Sequence, residues 1–484
     1  MPRIDEDIKQ QDQKQQTKQR TRSEARQRQR TQEEPQQAEP TARLDLKTVP
    51  VCQVPESSEP LRPERFETPD GKPGWVVRLP ENRPLATPAF GQGKLFLGGG
   101  YGSYSFYSLD LLTGKVDWQI RTKDDGPTAA VVEDGFVAFN TESCTVIVCE
   151  VKTGRVVWQE WLGDPLMAQP AVKDGKLYIA YPNRQHQHQL LCADLATGRH
   201  LWEQPITGDV ISAPVVTDEG VYFACLDGTS FCLDLKDGAV RWQRQDGATV
   251  APLVVNGRVI TLEKLAGRSG IYQGVRRKAS GTGSYVDREA IHHAYSPYLS
   301  EVHGGGSSVK SEYAAELDAT VGFSSAPSSA KLRFATAHIG VSRVSGAWSY
   351  QGSRPAYARK KILGCARNRV FCLRDDEAGT REWELECSGG AIHVDDQLWL
   401  PPSLGKQDAY LTSTVGHVLR LDIETGKQKW IYDTQTAVPF QPCLAGGRLA
   451  FGTLDGRVVC IDTGDQDADG WSVWGGDGGH NLVR

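Results

Sequence analysis

One motif constrains this chain more than any other feature. The stretch from Ser108 to Trp118 reads Ser-Leu-Asp-Leu-Leu-Thr-Gly-Lys-Val-Asp-Trp. It returns as Cys149–Trp158, Cys192–Trp202, Cys232–Trp242, Cys372–Trp383 and Arg420–Trp430, and in every copy the Trp lies four residues after a Gly. A strand ending at the acidic residue, a Gly that permits a left-handed turn, and a return strand carrying the Trp account for the pattern.

A short apolar strand, a polar turn and a second apolar strand precede most copies. Pro88, Pro170, Pro214, Pro252 and Pro442 hold equivalent places at the start of the first strand, where a missing N–H costs least. The copies recur at roughly 40-residue intervals, the period of a four-stranded propeller blade. Abundant Gly and scarce helical periodicity agree with many short strands.

These copies resemble the pyrroloquinoline-quinone-like (PQQ-like) propeller repeat, whose signature is Ala-x-Asp-x-x-Thr-Gly-x-x-x-Trp, over most of residues 75–463. The resemblance implies an all-β propeller in which each Trp docks between neighbouring blades against the small residue two before the Asp. Ser108, Cys192, Cys232 and Cys460 hold that small position. The departures are Glu150 for Asp, Val148 and Arg420 at the small position, and one extra residue in the copy around Cys372. Trp75 reads as a repeat's last strand without its first three, and Pro442–Asp462 as three strands without a last. The expectation is a seven-bladed ring closed by the N-terminal strand. The rival closing strand is Gly470–Trp474.

Three regions interrupt the pattern. Residues 1–72 are rich in Gln, Arg and Pro and are expected to be a disordered tail and linker before a propeller at 73–484. Within it, Lys9–Arg30 is locally basic; a solvated tail is favoured over a contact with nucleic acid or acidic lipid. Residues 264–361 form a long insertion in the expected fifth blade and carry 14 Lys/Arg against 6 Asp/Glu, in a chain of net charge −5. A loop of that length is more often functional than filler. Its candidate binding residues are Arg276, Arg277 and Lys278 as anion donors, and Trp348, Tyr350 and Arg354 as stacking faces and a guanidinium fork. The bland alternative is a self-packed insertion with solvated arginines. Finally, Asp465-x-Asp467-x-Asp469-Gly470 matches the first half of a calcium loop but has Gly476 at the twelfth position, so an acidic turn is favoured.

Other chemistry is poorly supported. His186 and His188 lie in a Gln-rich loop, the adjacent His292 and His293 cannot easily face one ion, and no spacing suits zinc. Gly304–Ser311 lacks the Gly before Lys that a phosphate loop needs. Quinoprotein dehydrogenases that resemble this repeat have eight blades, and many have a vicinal disulfide; no residue here matches their calcium ligands or catalytic base. The 11 cysteines include no CxxC or adjacent pair and read as buried thiols. No cofactor and no metal are expected.

The resulting expectation is a non-enzymatic binding scaffold that engages a protein partner, or a small ligand, through the insertion face. The resemblance to the outer-membrane-assembly propellers implies protein binding. An enzyme using a cofactor or sugar-like ligand under the insertion is the first alternative, and a signalling or sensor component the second. No membrane insertion is expected, nucleic acid is a poor fit, and the absence of an apolar leader suggests a cytoplasmic location.

Overall fold

Each Asp–Gly–Trp copy forms the turn between the third and fourth strands of an antiparallel sheet. In the first copy, the Asp110 carboxylate accepts hydrogen bonds from the Thr113 N–H and hydroxyl at 2.8 and 2.6 Å. Gly114 then takes φ +73°, which a side chain would disfavour. The same Asp–Thr bonding recurs at Asp194/Thr197 and Asp422/Thr425.

The computed structural model describes residues 40–163, 168–248, 250–264, 272–278, 355–366, 368–376, 380–389 and 398–484. Their strands fall into eight sheets. Numbered along the chain, the first sheet contains Ala89–Gly91, Lys94–Gly98, Ser105–Asp110 and Val116–Arg121. The second, third and fourth repeat this plan and end in Val156–Trp161, His200–Pro205 and Val240–Gln245. The fifth has three described strands, Leu253–Val255, Arg258–Lys264 and Tyr272–Lys278. The sixth runs from Ala356–Ala358 to Arg381–Ser388, and the seventh from Ser403–Leu404 to Gln428–Asp433. The eighth pairs Cys443–Ala445, Arg448–Gly452 and Arg457–Asp462 with Pro73–Arg78.

The fold is therefore the expected all-β propeller, with eight sheets where seven blades were expected. The discrepancy arises at 264–361. Signature counting treats Leu253 to Trp383 as one interrupted blade, but Tyr272–Lys278 completes a third strand of one sheet and Ala356 begins another. No Asp–Gly–Trp copy follows Lys278, so the fifth sheet carries no signature to count. Pro355 before Ala356 repeats the first-strand proline and marks the start of a new sheet inside the blade that the count treats as one.

Ring closure follows the expected route. Trp75 lies opposite Cys460 in an antiparallel ladder running from Gly74/Ile461 to Arg78/Arg457. Gly470–Trp474 is not the closing strand; Trp471 forms a single bridge with Leu444.

The docking tryptophans explain how sheets adhere. In five of them the indole N–H donates to a carbonyl in the next sheet's turn: Trp75 to Leu111, Trp118 to Val151, Trp158 to Leu195, Trp202 to Leu235 and Trp383 to Ile423, at 2.8–3.2 Å. The rings cover Gly114, Gly154, Gly198, Gly238 and Gly426, where a Cβ would collide with them. The inter-sheet surface is thus the turn glycine, while the small residue two before the Asp faces its own sheet's Trp across the strands, as Cys192 faces Trp202. Trp75 and Trp383 are fully buried and Trp202 nearly so; Trp158 and Trp242 are half-buried.

The expected linker is ordered from residue 40. Ala42–Asp45 adds in parallel to the outer strand of the sixth sheet, with Ala42 opposite Leu385. Asp433 of the seventh sheet donates its N–H to Pro50 and accepts from Cys52. Glu64–Glu67 adds antiparallel to Pro73–Arg78 in the eighth. Composition misled here because few apolar residues suffice: Leu46, Cys52 and Phe66 are buried, and strand pairing supplies the rest. Ala42–Arg484 forms one compact unit.

Candidate functional site

Antiparallel strands divide the ring into two faces. The turns joining strands one to two and three to four lie on one face. The loops joining strands two to three, and the connections between sheets, lie on the other.

The turn face is occupied by the chain's own last residues. Every first strand exposes an inner edge, whose N–H and C=O groups need partners. Leu444 and Trp471 exchange backbone hydrogen bonds at 2.7 and 3.1 Å. Val172 and Val216 donate to the Gly478 and Gly479 carbonyls, both at 2.8 Å. The Asn481 amide clasps Val254, accepting from its N–H at 3.1 Å and donating to its C=O at 2.6 Å. Arg359 donates to the Arg484 carbonyl at 2.7 Å. Thus the tail meets inner strands of the eighth, third, fourth, fifth and sixth sheets. His480 lies buried with its two ring nitrogens 2.7 and 3.0 Å from the Trp474 and Pro170 carbonyls. The Trp- and Gly-rich composition after residue 469 was the sequence signal for this segment, though it was read only as a rival last strand.

The loop face carries a polar cluster that sequence reasoning missed. Glu142, only 6% exposed, sits in the loop between the second sheet's middle strands. The Tyr101 hydroxyl donates to its carboxyl at 3.0 Å, and Arg83 donates to the Tyr101 carbonyl at 2.6 Å. Burial and then the charge of Asp125 push Glu142 up to about 8. Burial and Asp124 raise Asp125 as well. Asp124 is held by the Ser143 N–H at 3.1 Å and by the Thr141 and Ser143 hydroxyls. Tyr101 and Phe440 pack on the same apolar cluster. At neutral pH Glu142 therefore retains a proton and can donate a hydrogen bond that an ordinary glutamate cannot. The residues come from separate loops without a shared motif, so no local spacing revealed them.

The sequence-selected candidates fare unevenly. Arg276, Arg277 and Lys278 lie on the strand Tyr272–Lys278, opposite Ile260, Val259 and Arg258. Trp348, Tyr350 and Arg354 lie outside the described residues, as do His292, His293 and Gly304–Ser311. The 465–470 loop directs its carboxylates apart: Asp465 to Arg420 and Tyr410, Asp467 to Lys406, and Asp469 to the Gly446 N–H. That is an acidic turn. Among the described residues no His/Cys/Asp/Glu group converges as a metal site. All eleven cysteines are free and buried, and burial pushes thiols such as Cys52 and Cys192 up to about 11.

The family model for outer membrane protein assembly factor BamB matches residues 64–166, 145–267 and 331–472. The chain belongs to that family. No curated protein matches it in sequence. Among solved structures, BamB from Moraxella catarrhalis superposes with a TM-score of 0.52 at 14% identity, covering 83% of this chain and 97% of its own. A europium-containing methanol dehydrogenase gives 0.51 at 12% identity, covering 79% and 85%. A quinohemoprotein alcohol dehydrogenase from Pseudomonas putida gives 0.52 at 12% identity, covering 81% and 76%. At such identities the likeness is one of fold. A BamB-family propeller thus shares its architecture with both an assembly factor and quinone enzymes, and fold alone does not choose between them. Among the described residues no helix is long and apolar enough to cross a membrane.

Proposed function

We propose that this BamB-family propeller is a non-catalytic scaffold that binds a protein partner through the side bearing the 264–361 insertion. The observation that carries the reading is the occupied turn face: the chain's own tail bonds the inner edges of five sheets, which directs recognition to the loops and rim. The insertion leaves the outermost described strand of the fifth sheet at its turn-face end, where Lys278 lies opposite Arg258, outside the inner edges that the tail covers, with Arg276–Lys278 at its root. An assembly role like that in the name of the family supports the same choice. The test is to replace residues 279–354 with a Gly-Ser turn and to mutate Arg276 and Arg277 to Ala. A folded protein that loses its partner in quantitative co-purification supports the reading; unchanged partner recovery refutes it.

The second reading is an enzyme or ligand-binding protein with its site at the loop-face mouth. The proton retained by Glu142 favours it. Glu142→Gln would then abolish turnover or ligand binding without unfolding the ring. Residence in a reducing compartment is also proposed, supported by eleven free, buried cysteines. Cell fractionation that finds the chain only in an oxidising compartment would refute it.

A further inference from the structure

The outer edges of the sheets follow one parity. In the second sheet, the Leu162 N–H bonds inward to Cys144. Counting back by twos, Glu160 and Trp158 also aim inward, so the backbone groups of Gln159 and Trp161 aim outward. The same count assigns Asp433 outward, where Pro50 and Cys52 take its groups, and Arg78 outward, where Leu61 takes its carbonyl. The parity therefore identifies sites that the chain itself uses for strand addition.

Two segments add as full strands, and they share a pattern. Ala42–Asp45 contains Arg43-Leu44-Asp45, and Glu64–Glu67 contains Arg65-Phe66-Glu67. Arg43 pairs with Glu386 at 3.4 Å while Leu44 packs on the core. Arg65 donates to the Leu112 carbonyl at 3.1 Å while Phe66 is buried. An Arg anchored on an acceptor, an apolar anchor and an acidic residue are thus the chemistry that these edges accept.

Among the described residues, no backbone group pairs with the outward positions of the first four sheets. Three of those edges carry the usual protection. The first has Asp117 and Arg121, the third has Pro205, which lacks an N–H, and the fourth has Arg241. The second edge, Val156–Trp161, has no Pro and no basic residue. It ends in Val156 and Trp161, which are 41% and 50% exposed, with Glu160 between them.

We propose that Val156–Trp161 is a docking edge for an extended segment of a partner protein with the Arg–apolar–acidic pattern, which adds as a fifth strand. This deepens the scaffold reading and rests on it. Backbone pairing supplies the affinity, Trp161 receives the apolar side chain, and Glu160, which already pairs with His200 at 3.0 Å, attracts the Arg.

The probe is a fluorescent synthetic peptide of residues 62–69, compared with its scrambled form, titrated into the full-length chain. Saturable binding is expected, with the Gln159 and Trp161 amides gaining hydrogen-exchange protection. Gln159→Pro removes an outward N–H that the fold does not use and should weaken binding at least about tenfold, close to one hydrogen bond's worth. Trp161→Ser should weaken it several-fold and serves if the Pro variant misfolds. Replacing residues 279–354 should leave peptide binding intact, so failure of the insertion as a partner site and failure of this edge give different results. Equal binding of the scrambled peptide, or of both variants, overturns the proposal. Self-association of the wild type that Gln159→Pro abolishes would make a second copy the occupant and overturn it too.

Discussion

The sixth to eighth sheets and the first to fourth are built from the same repeat, yet their rims differ. At the outward positions of the former, Glu384, Ile431 and Val76 are buried and Glu386, Asp433 and Arg78 are half-buried. At the matching positions of the latter, Gln119, Arg121, Gln159, Trp161, Glu203, Pro205, Gln243 and Gln245 are all exposed. The difference is the segment 42–67, which lies along one sector and not the other. A repeat therefore fixes which backbone groups point outward, but not whether they are covered. Coverage depends on chain outside the repeat.

The largest expected effect tests whether docking is uniform around the ring. Trp383→Ala in the covered sector should cost about 3–5 kcal/mol by denaturant unfolding, while Trp158→Ala, at a partly exposed ring, should cost about 2–3 kcal/mol. Equal losses would mean that exposure does not measure docking here. Next comes the clasp itself. Phe66→Ala should cost about 3 kcal/mol, whereas Trp161→Ala on the open edge, which loses the indole bond to Ser143 and the stack with Arg184, should cost only about 1 kcal/mol. A large loss at Trp161 would show that the second rim is structural.

Proline scanning sharpens the contrast at the backbone. Asp433→Pro deletes the 2.9 Å bond to Pro50 and should destabilise by about 1–3 kcal/mol. Gln159→Pro should cost less than about 1 kcal/mol, because no described group uses its N–H. Similar melting temperatures for the two variants would contradict the assigned parity.

The smallest effect is confined to a pH window on the loop face. Folded Glu142 holds its proton up to about 8, against an ordinary value of 4.5. Between those values the folded state binds more protons than the unfolded one, so this group makes stability fall as pH rises and contributes no further change above about 8. Glu142→Gln should remove that part of the slope in melting curves from pH 5 to 8.5. Asp124, Asp125 and Arg83 surround the group and remain in the variant. An unchanged slope would place the titration elsewhere.

The sequence determined the repeat, and the repeat determined most of the ring. Asp110, Gly114 and Trp118 specify a turn and a docking contact through local geometry, so six copies sufficed to read a propeller, and Trp75 with Cys460 sufficed to read its closure. It could not count the sheets, because the fifth carries no signature turn for a Trp to dock on. It could not show that residues 42–67 are a clasp, because their order comes from edges made elsewhere in the chain. The tail at 471–484 and the cluster around Glu142 were equally illegible. Their partners are Val172, Val216 and Val254 in one case and Tyr101, Arg83 and Asp125 in the other. Those partners are gathered by ring closure, and burial, a property of the assembled fold, is what moves the Glu142 proton.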